Sequence, residues 1–318
     1  MREVIVVGDA NVDIVVQYPR FLDEQRTRVV WPNPEVLGGG TSSNTAAALA
    51  RLGVDCAFIG TVGDDANGRF ARDELASLGV DVSGLVVDPE LNTVGVFAFV
   101  DERGERYLWG WPREKRSFTV LHEKRVDFDR VRSASWVHSS GMSLVYDTSA
   151  RSTITRIFHE AHEAGVPTSF DLNLRVDEGV LDPDFAEALD AIMGDVSYLL
   201  GSGPEEFAYL GDGTWEENAL ALATGGRTVI ARDGANGSIG MRDGKVVRAG
   251  AYRVEVEDTI GAGDVYNAGF ISALLDGRGL EDALRLGNAV SGYSVARKGA
   301  RNTPSSDELV SFMKDHQI

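Results

Sequence analysis

Short apolar runs rich in β-branched residues alternate along this chain with longer stretches of helical spacing. VIVV at 4–7 and CAFIG at 56–60 read as buried strands. Between them SSNTAAALARLG carries a Ser/Asn capping signal, a run of strong helix formers and a stop at Gly53. The order recurs in NGRFARDELASLG, then SWVHSS at 135–140, then TSARSTITRIFHEAHEAG. PTSFDLN, VSYLL and RTVIAR are further strands, each preceded by a helical stretch. Alternation of this kind predicts parallel strands joined by right-handed crossovers, and so an α/β fold with a doubly wound, mostly parallel sheet flanked by helices.

Two segments break the rhythm. Residues 11–37 include VDIVVQYP and the turn-rich WPNPE, and 92–109 reads TVGVFAFVDERGERYLW. The second has the pattern of a hairpin, two alternating strands around Asp101–Gly104. Together they are expected to form a small antiparallel sheet projecting from a single domain over 1–318, with candidate lid segments at about 11–37 and 92–118.

Composition narrows the classes of partner. Of 318 residues, 31 are Lys or Arg and 49 Asp or Glu, a formal charge of −18 that repels nucleic acid and anionic membrane. Cys56 stands alone, so no intramolecular disulfide forms, and its position in a strand reads as a small buried apolar residue. The opening VIVV gives way to acid too soon for a signal peptide or a membrane span, and a cytoplasmic location is expected.

The candidate chemistry begins at DTIGAGD, 258–264. Asp264 is followed by VYNAGFISALL, a helical pattern, so Gly261, Ala262 and Gly263 fall at a helix N-terminus. Backbone N–H groups there lack intrahelical partners and sit at the positive end of the dipole, which attracts phosphate. A carboxylate beside such a cradle repels that ligand. Its economical purpose is to take a proton from a hydroxyl that attacks the phosphate.

GGGTSSN at 38–44 is a glycine turn into a helix, where Asn44 offers both a donor and an acceptor. Asp13, after Gly8 and Asn11, lies just past the first strand's carboxyl end, where open α/β sheets bind ligands. G-x-G-x-x-G occurs nowhere, which disfavours a nicotinamide-dependent oxidoreductase. The Gly244–Lys245 pair is followed by Val, so the phosphate-loop motif fails as well. His159 and His162 lack the spacing and the third ligand of a metal site and read as solvated surface residues.

GGGTSSN near the start and DTIGAGD near the end, in this order and at this separation, resemble the ribokinase-like (PfkB) carbohydrate kinase family. The resemblance runs through GRFARDELASLGVDVSGL, ARDGANGS and NAVSGYSVARKGA to SSDELV, almost the whole chain. It implies an α/β domain with a β-sheet lid, ATP as phosphoryl donor and Mg²⁺ as its companion, with a monovalent cation, K⁺, as a further candidate. By resemblance Asp264 is the catalytic base, and Gly261, Ala262 and Gly263 are the anion hole. Asp13, Gly39, Gly40 and Asn44 are the sugar contacts, and Gly234, Asn236, Gly237 and Asn288 fall where the nucleotide is held. A homodimer through the lid is the expected assembly, since exposed sheet edges pair readily.

Departures from the family pattern bear on metal and sugar. Where many members carry N-x-x-E, this chain has SGPE, with Ser202 in place of the asparagine and Glu205 retained for water-mediated Mg²⁺ binding. SSGMSLVYD lacks the glutamate of the family's ribose kinases. FDLNLR, ending at Arg175, resembles the 2-keto-3-deoxygluconate and fructose kinases, and YLWGWPR places Arg113 where the former carry an aromatic–arginine pair. The leading expectation is phosphorylation of a primary hydroxyl of a sugar or sugar acid such as 2-keto-3-deoxygluconate. Fructose, ribose or a nucleoside is the alternative acceptor, and a non-catalytic sugar- or nucleotide-binding regulator the alternative class.

Overall fold

The computed structural model describes residues 3–17, 33–100, 106–174, 176, 177 and 179–316. Along the chain run β1 (Val4–Val7), β2 (Asn11–Gln17), β3 (Glu35–Gly39), α1 (Thr41–Arg51), β4 (Cys56–Gly63), α2 (Ala66–Ser77), β5 (Asp81–Asp88), β6 (Gly95–Val100) and β7 (Arg106–Trp111). The middle contains α3 (Phe128–Ser133), β8 (Trp136–Ser140), α4 (Ser149–Glu163), β9 (Thr168–Asp171), the short β10 (Val176–Asp177) and β11 (Val180–Leu181), α5 (Pro183–Met193) and β12 (Tyr198–Ser202). The last third contains α6 (Trp215–Leu222), β13 (Thr228–Arg232), β14 (Ser238–Arg242), β15 (Lys245–Ala249), α7 (Ala262–Leu275), α8 (Leu280–Val295) and α9 (Ser306–Asp315).

Nine strands form the main sheet in the order β15-β14-β13-β12-β9-β8-β1-β4-β5. From β13 to β5 every pairing is parallel, and β14 and β15 close one edge antiparallel. Successive side chains of a strand point to opposite faces, so each buried strand feeds two cores. In β1, Val4 and Val6 join the core under α1, α2, α7, α8 and α9, and Ile5 and Val7 join that under α3, α4, α5 and α6. From β1 the chain fills one side of the sheet with β4 and β5, then returns to fill the other with β8, β9, β12 and β13. That reversal opens a crevice at the carboxyl ends of the strands.

One local expectation is corrected. The N-cap of α1 is Gly40, which has no side chain to offer, and the serines of GGGTSSN lie inside the first turn. Asp9, at the exit of β1, caps the helix instead: its carboxylate accepts from the N–H groups of Thr41 and Ser42 at 3.0 and 3.1 Å.

A four-stranded sheet, order β3-β2-β6-β7, stands apart from the main one. It is mixed rather than antiparallel throughout. β2 runs antiparallel to β3 but parallel to β6, and β6 is antiparallel to β7. The reason lies in the main sheet: β1 and β5 point the same way, and β2 and β6 leave their carboxyl ends in the same direction. Residues 18–32 and 101–105, parts of the two expected lid segments, lie outside the described residues.

Candidate active site

A cavity of about 1120 Å³ follows the carboxyl edge of the main sheet, with Asp13 and Val96 of the small sheet among its walls. Its local centre is the start of α7. Gly261 is the N-cap of that helix with φ of 72°, a left-handed conformation, and a Cβ there would lie 2.6 Å from the Ala300 Cβ. Only glycine fits both demands. The other aspartate of DTIGAGD builds the turn: Asp258 accepts from the N–H of Ile260 at 2.8 Å and of Gly299 at 2.9 Å. The N–H of Ala262 donates back to Thr259 O at 3.3 Å, while Gly263 and Asp264 lie in the first turn, where a helix leaves N–H groups without an intrahelical acceptor, so this end of the cavity favours an anion.

Asp264 sits in that first turn and lines the cavity. Desolvation pushes its carboxyl well above the usual carboxylate range, opposed by a 2.9 Å hydrogen bond from Asn44 Nδ2 and reinforced by Asp171 and Asp9. A carboxyl tuned upward is suited to general-base work, because it accepts a proton more readily than an ordinary carboxylate.

The wall beside Asn44 and Asp264 is polar and interlocked. Asp9, Asn11, Asp13, Gly40 and Asn44 line it, and the Oδ1 of Asn11 is buried without a partner among the described residues. Burial pushes the Asp13 carboxyl up to about 6, with Arg301 pulling it down and Asp9 and Asp258 pushing it further up. A Cβ on Gly39 would meet the Asp13 carboxylate at 2.5 Å, so the glycine makes room for it. Arg301, which the sequence reading missed, is buried behind this wall. Its Nε donates to Asn44 Oδ1 at 3.1 Å, its Nη2 to Gly39 O and Ser43 Oγ, and its Nη1 pairs with Glu74.

A second buried network lies under the anion-binding turn. Arg232, the last residue of β13, reaches Asp171, the last of β9, at 2.6 and 3.2 Å. Asn267 of α7 bonds to both, and Glu206 stands 3.7 Å from the guanidinium. The Cζ of Arg232 lies 3.2 Å from where a Gly263 Cβ would be, so the guanidinium packs directly on the turn. Desolvation opposes charge on both partners, yet Arg232 holds Asp171 below the usual carboxylate range and Asp171 keeps Arg232 ionised. The available signal was a charged residue closing each of two buried strands.

The nucleotide candidates divide. Gly234, Gly237 and Asn288 line the cavity, together with Ala251, Val254, Val256, Gly292 and Val295. Asn288 spends its amide on Ala249 O and Gly250 O at 3.0 and 3.1 Å, holding the loop after β15. Asn236 is exposed and bonds to Asp233. Glu205 is exposed at the rim beside Ser202. Arg113 is exposed and lies off the cavity wall, and Arg175 is outside the described residues. His159 is an exposed residue 3.4 Å from Asp195, in line with a surface role.

A helix start that draws an anion, with a carboxylate in its first turn and a polar wall opposite, has the layout of a phosphotransferase. Comparison with known proteins gives the family. The model of the pfkB family carbohydrate kinases matches residues 1–307, and this chain belongs to that family and is a carbohydrate kinase. An ATP-dependent ribose-1-phosphate kinase of Halopiger xanaduensis is 33% identical over 319 residues, covering 99% of each chain. A 5-dehydro-2-deoxygluconokinase of Shouchella clausii is 27% identical, covering 99% of this chain and 97% of its own. Among solved structures, aminoimidazole riboside kinase from Salmonella enterica, complexed with aminoimidazole riboside and an ATP analog, superposes with a TM-score of 0.79 at 26% identity, covering 98% and 99%. A putative ribokinase II from E. coli in complex with ATP and Mg²⁺ reaches 0.87, covering 99% and 100%, at 24% identity that bears on the fold alone. No helix among the described residues is long and apolar enough to cross a membrane.

Proposed function

We propose that this kinase transfers the γ-phosphoryl group of ATP to a primary hydroxyl of a small sugar bearing an anionic group at its far end. The observation that carries the reading is Asp264, set in the anion-binding turn and hydrogen-bonded to Asn44 of the acceptor wall. Asp264 takes the hydroxyl proton as the oxygen attacks. The first turn of α7, with Gly261, Ala262 and Gly263, holds the phosphoryl oxygens. Asp13, Asn11, Gly39, Gly40 and Asn44 orient the sugar hydroxyls.

The apolar slot of Val254, Val256 and Val295 beside Gly234 and Gly237 fits a purine nucleotide. Among the described residues no group of three or more His, Cys, Asp or Glu forms a metal cage. That fits Mg²⁺, which keeps waters and phosphate ligands and needs few carboxylates; Glu205 and Ser202 would hold it through water. ATP and Mg²⁺ supply the phosphoryl group and the charge that offsets its oxygens. K⁺ remains a candidate to be tested by cation replacement.

The acceptor rests on the absent ribose-type glutamate and on two relatives, with Arg175 of FDLNLR as the candidate partner of the anionic group; Arg113, off the cavity wall, gives no support. The two relatives are named for ribose 1-phosphate and 5-dehydro-2-deoxygluconate, both anionic sugars. A 2-keto-3-deoxygluconate-type acid is the leading substrate and ribose 1-phosphate the second. The small sheet acts as a lid that excludes water. Its face away from Val96 displays Phe97, Tyr107, Trp109 and Trp111, with Tyr107 73% exposed, and we take a second copy of the chain as its partner. Sedimentation of Trp109→Glu against the wild type decides this: a monomer in the variant alone supports it, and a monomeric wild type refutes it.

A coupled ADP assay over sugar acids, sugar phosphates, neutral sugars and nucleosides tests the rest. Turnover of an anionic sugar, lost about 10²–10⁴-fold in Asp264→Asn with binding retained, is the expected outcome. Faster turnover of fructose, ribose or a nucleoside overturns the acceptor assignment. Unchanged turnover in the variant overturns the base.

A further inference from the structure

Arg301 is not on the cavity wall, yet its fork holds Asn44, which is, and the residues beside it. The Nε donates to Asn44 Oδ1 at 3.1 Å and the Nη2 to Gly39 O at 3.1 Å and Ser43 Oγ at 2.9 Å, while Nη1 pairs with Glu74 of α2. Arginine offers donors only. The Asn44 atom that faces it is therefore the amide oxygen, and the atom that faces Asp264 Oδ2 at 2.9 Å is the NH₂. An amide free to turn would place either end against that carboxyl. A buried guanidinium forbids one of the two orientations.

We propose that Arg301 is a positioning residue for the catalytic carboxylate: through Glu74–Arg301–Asn44–Asp264 it locks the Asn44 amide so that it donates to Asp264. The proposal rests on Asp264 being the base. The same fork holds Gly39 of β3, so the relay ties the seating of the small sheet to the state of that carboxyl.

The charged groups around the relay set the direction of the effect. Asp9, Asp171 and desolvation push the Asp264 carboxyl up, Arg232 pulls it down, and the Asn44 hydrogen bond is the largest opposing contribution. With the amide released, its oxygen can face Asp264 and favours the protonated acid. Arg301 itself, driven down to about 10 by burial and supported by Asp13 and Asp9, stays charged across the working range. Its loss also raises Asp13, so the test must separate the two routes.

The test is the pH dependence of the single-turnover rate at saturating sugar and ATP in the wild type, Arg301→Met, Asn44→Ala and the double variant. Arg301→Met moves the acidic limb upward by about one to two pH units, the size of one hydrogen bond to a charged group. On the Asn44→Ala background the same substitution moves it no further, because the relay is already cut. A shift of equal size without Asn44 shows a direct effect of charge or of Asp13 and overturns the proposal, as does an unmoved limb in Arg301→Met. If Arg301→Met does not fold, Arg301→Lys decides. It keeps the charge without the fork, and a limb at the wild-type position overturns the relay. Failure of the base assignment reads differently, as near-normal turnover in Asp264→Asn.

Discussion

The two ends of the cavity are built from different material. The end proposed for the acceptor consists of side chains held by other side chains: Asp9 on the α1 N-terminus, Asn44 between Arg301 and Asp264, Asp13 against Gly39. The end proposed for the phosphoryl donor is backbone and small apolar surface, with Gly234, Gly237, Ala251, Val254, Val256 and Gly292, and its amide Asn288 faces the loop it braces. A sugar is recognised by directional bonds to its hydroxyls, which requires donors and acceptors fixed before it arrives. A purine offers a flat face that a slot can grip. Substitutions should accordingly be costly in function near the acceptor end and at the turn, and mild at the donor end.

The largest effect is expected where the two ends meet. Gly261→Val forces a β-branched residue into φ of 72° and into Ala300. Displacing one anion-binding donor costs about 10²–10³-fold in kcat. Steady-state kinetics on the soluble variant check this, and a wild-type rate would reduce the turn to a chain reversal. Next comes the network beneath it. Arg232→Met leaves Asp171 buried and unpaired, a loss of about 3–5 kcal/mol by urea unfolding. Adding Asp171→Asn should restore most of that stability. No recovery would mean that Arg232 matters by packing alone.

The turn and the fold were legible in the sequence for related reasons. Both are local or periodic: DTIGAGD runs into the first turn of its own helix, and alternating strands and helices announce a parallel sheet. The networks are neither. Asp171, Arg232 and Asn267 come from β9, β13 and α7, and Arg301 meets Asn44 across 257 positions. The α1 cap comes from Asp9, 33 residues before Ser42, although three local candidates stand in the glycine loop. Such pairings follow from which strand ends the topology brings side by side. They become readable only once the strand order is known, and the mixed pairing of the small sheet has the same origin.

A smaller effect sharpens the acceptor side. Asp13 is raised to about 6 from 3.8, chiefly by burial. The sign follows from linkage: a folded-state value above the unfolded one contributes stability below about pH 4, lost as pH rises through about 6. At pH 7 the ionised carboxylate is a burden on the sugar-free protein. Asp13→Asn should therefore raise its stability by about 1–2 kcal/mol at pH 7 and by little at pH 4, while sugar turnover falls. Melting curves at both pH values check it. Equal gains at the two would assign the effect to packing rather than charge.

The smallest effect is expected at the donor end, from Asn288→Ala. Asn288 lines the slot, so a direct grip on the nucleotide would make its loss severe in KM for ATP. The structure instead commits its amide to two donor contacts, with Ala249 O and Gly250 O, the carbonyls at the exit of β15. Its removal strips those carbonyls of one donor and lets the loop ahead of Tyr252 relax. A neutral hydrogen bond contributes about 0.5–1.5 kcal/mol, so a modest drop in melting temperature should accompany a KM for ATP raised by roughly 3- to 10-fold, with kcat and KM for sugar unchanged. Isothermal titration with a non-hydrolysable ATP analogue separates the loop effect from a contact. If ATP affinity falls about 100-fold or more with stability intact, Asn288 holds the nucleotide directly. The donor end would then share the side-chain recognition of the acceptor end, and the contrast between them would fail at its weakest point.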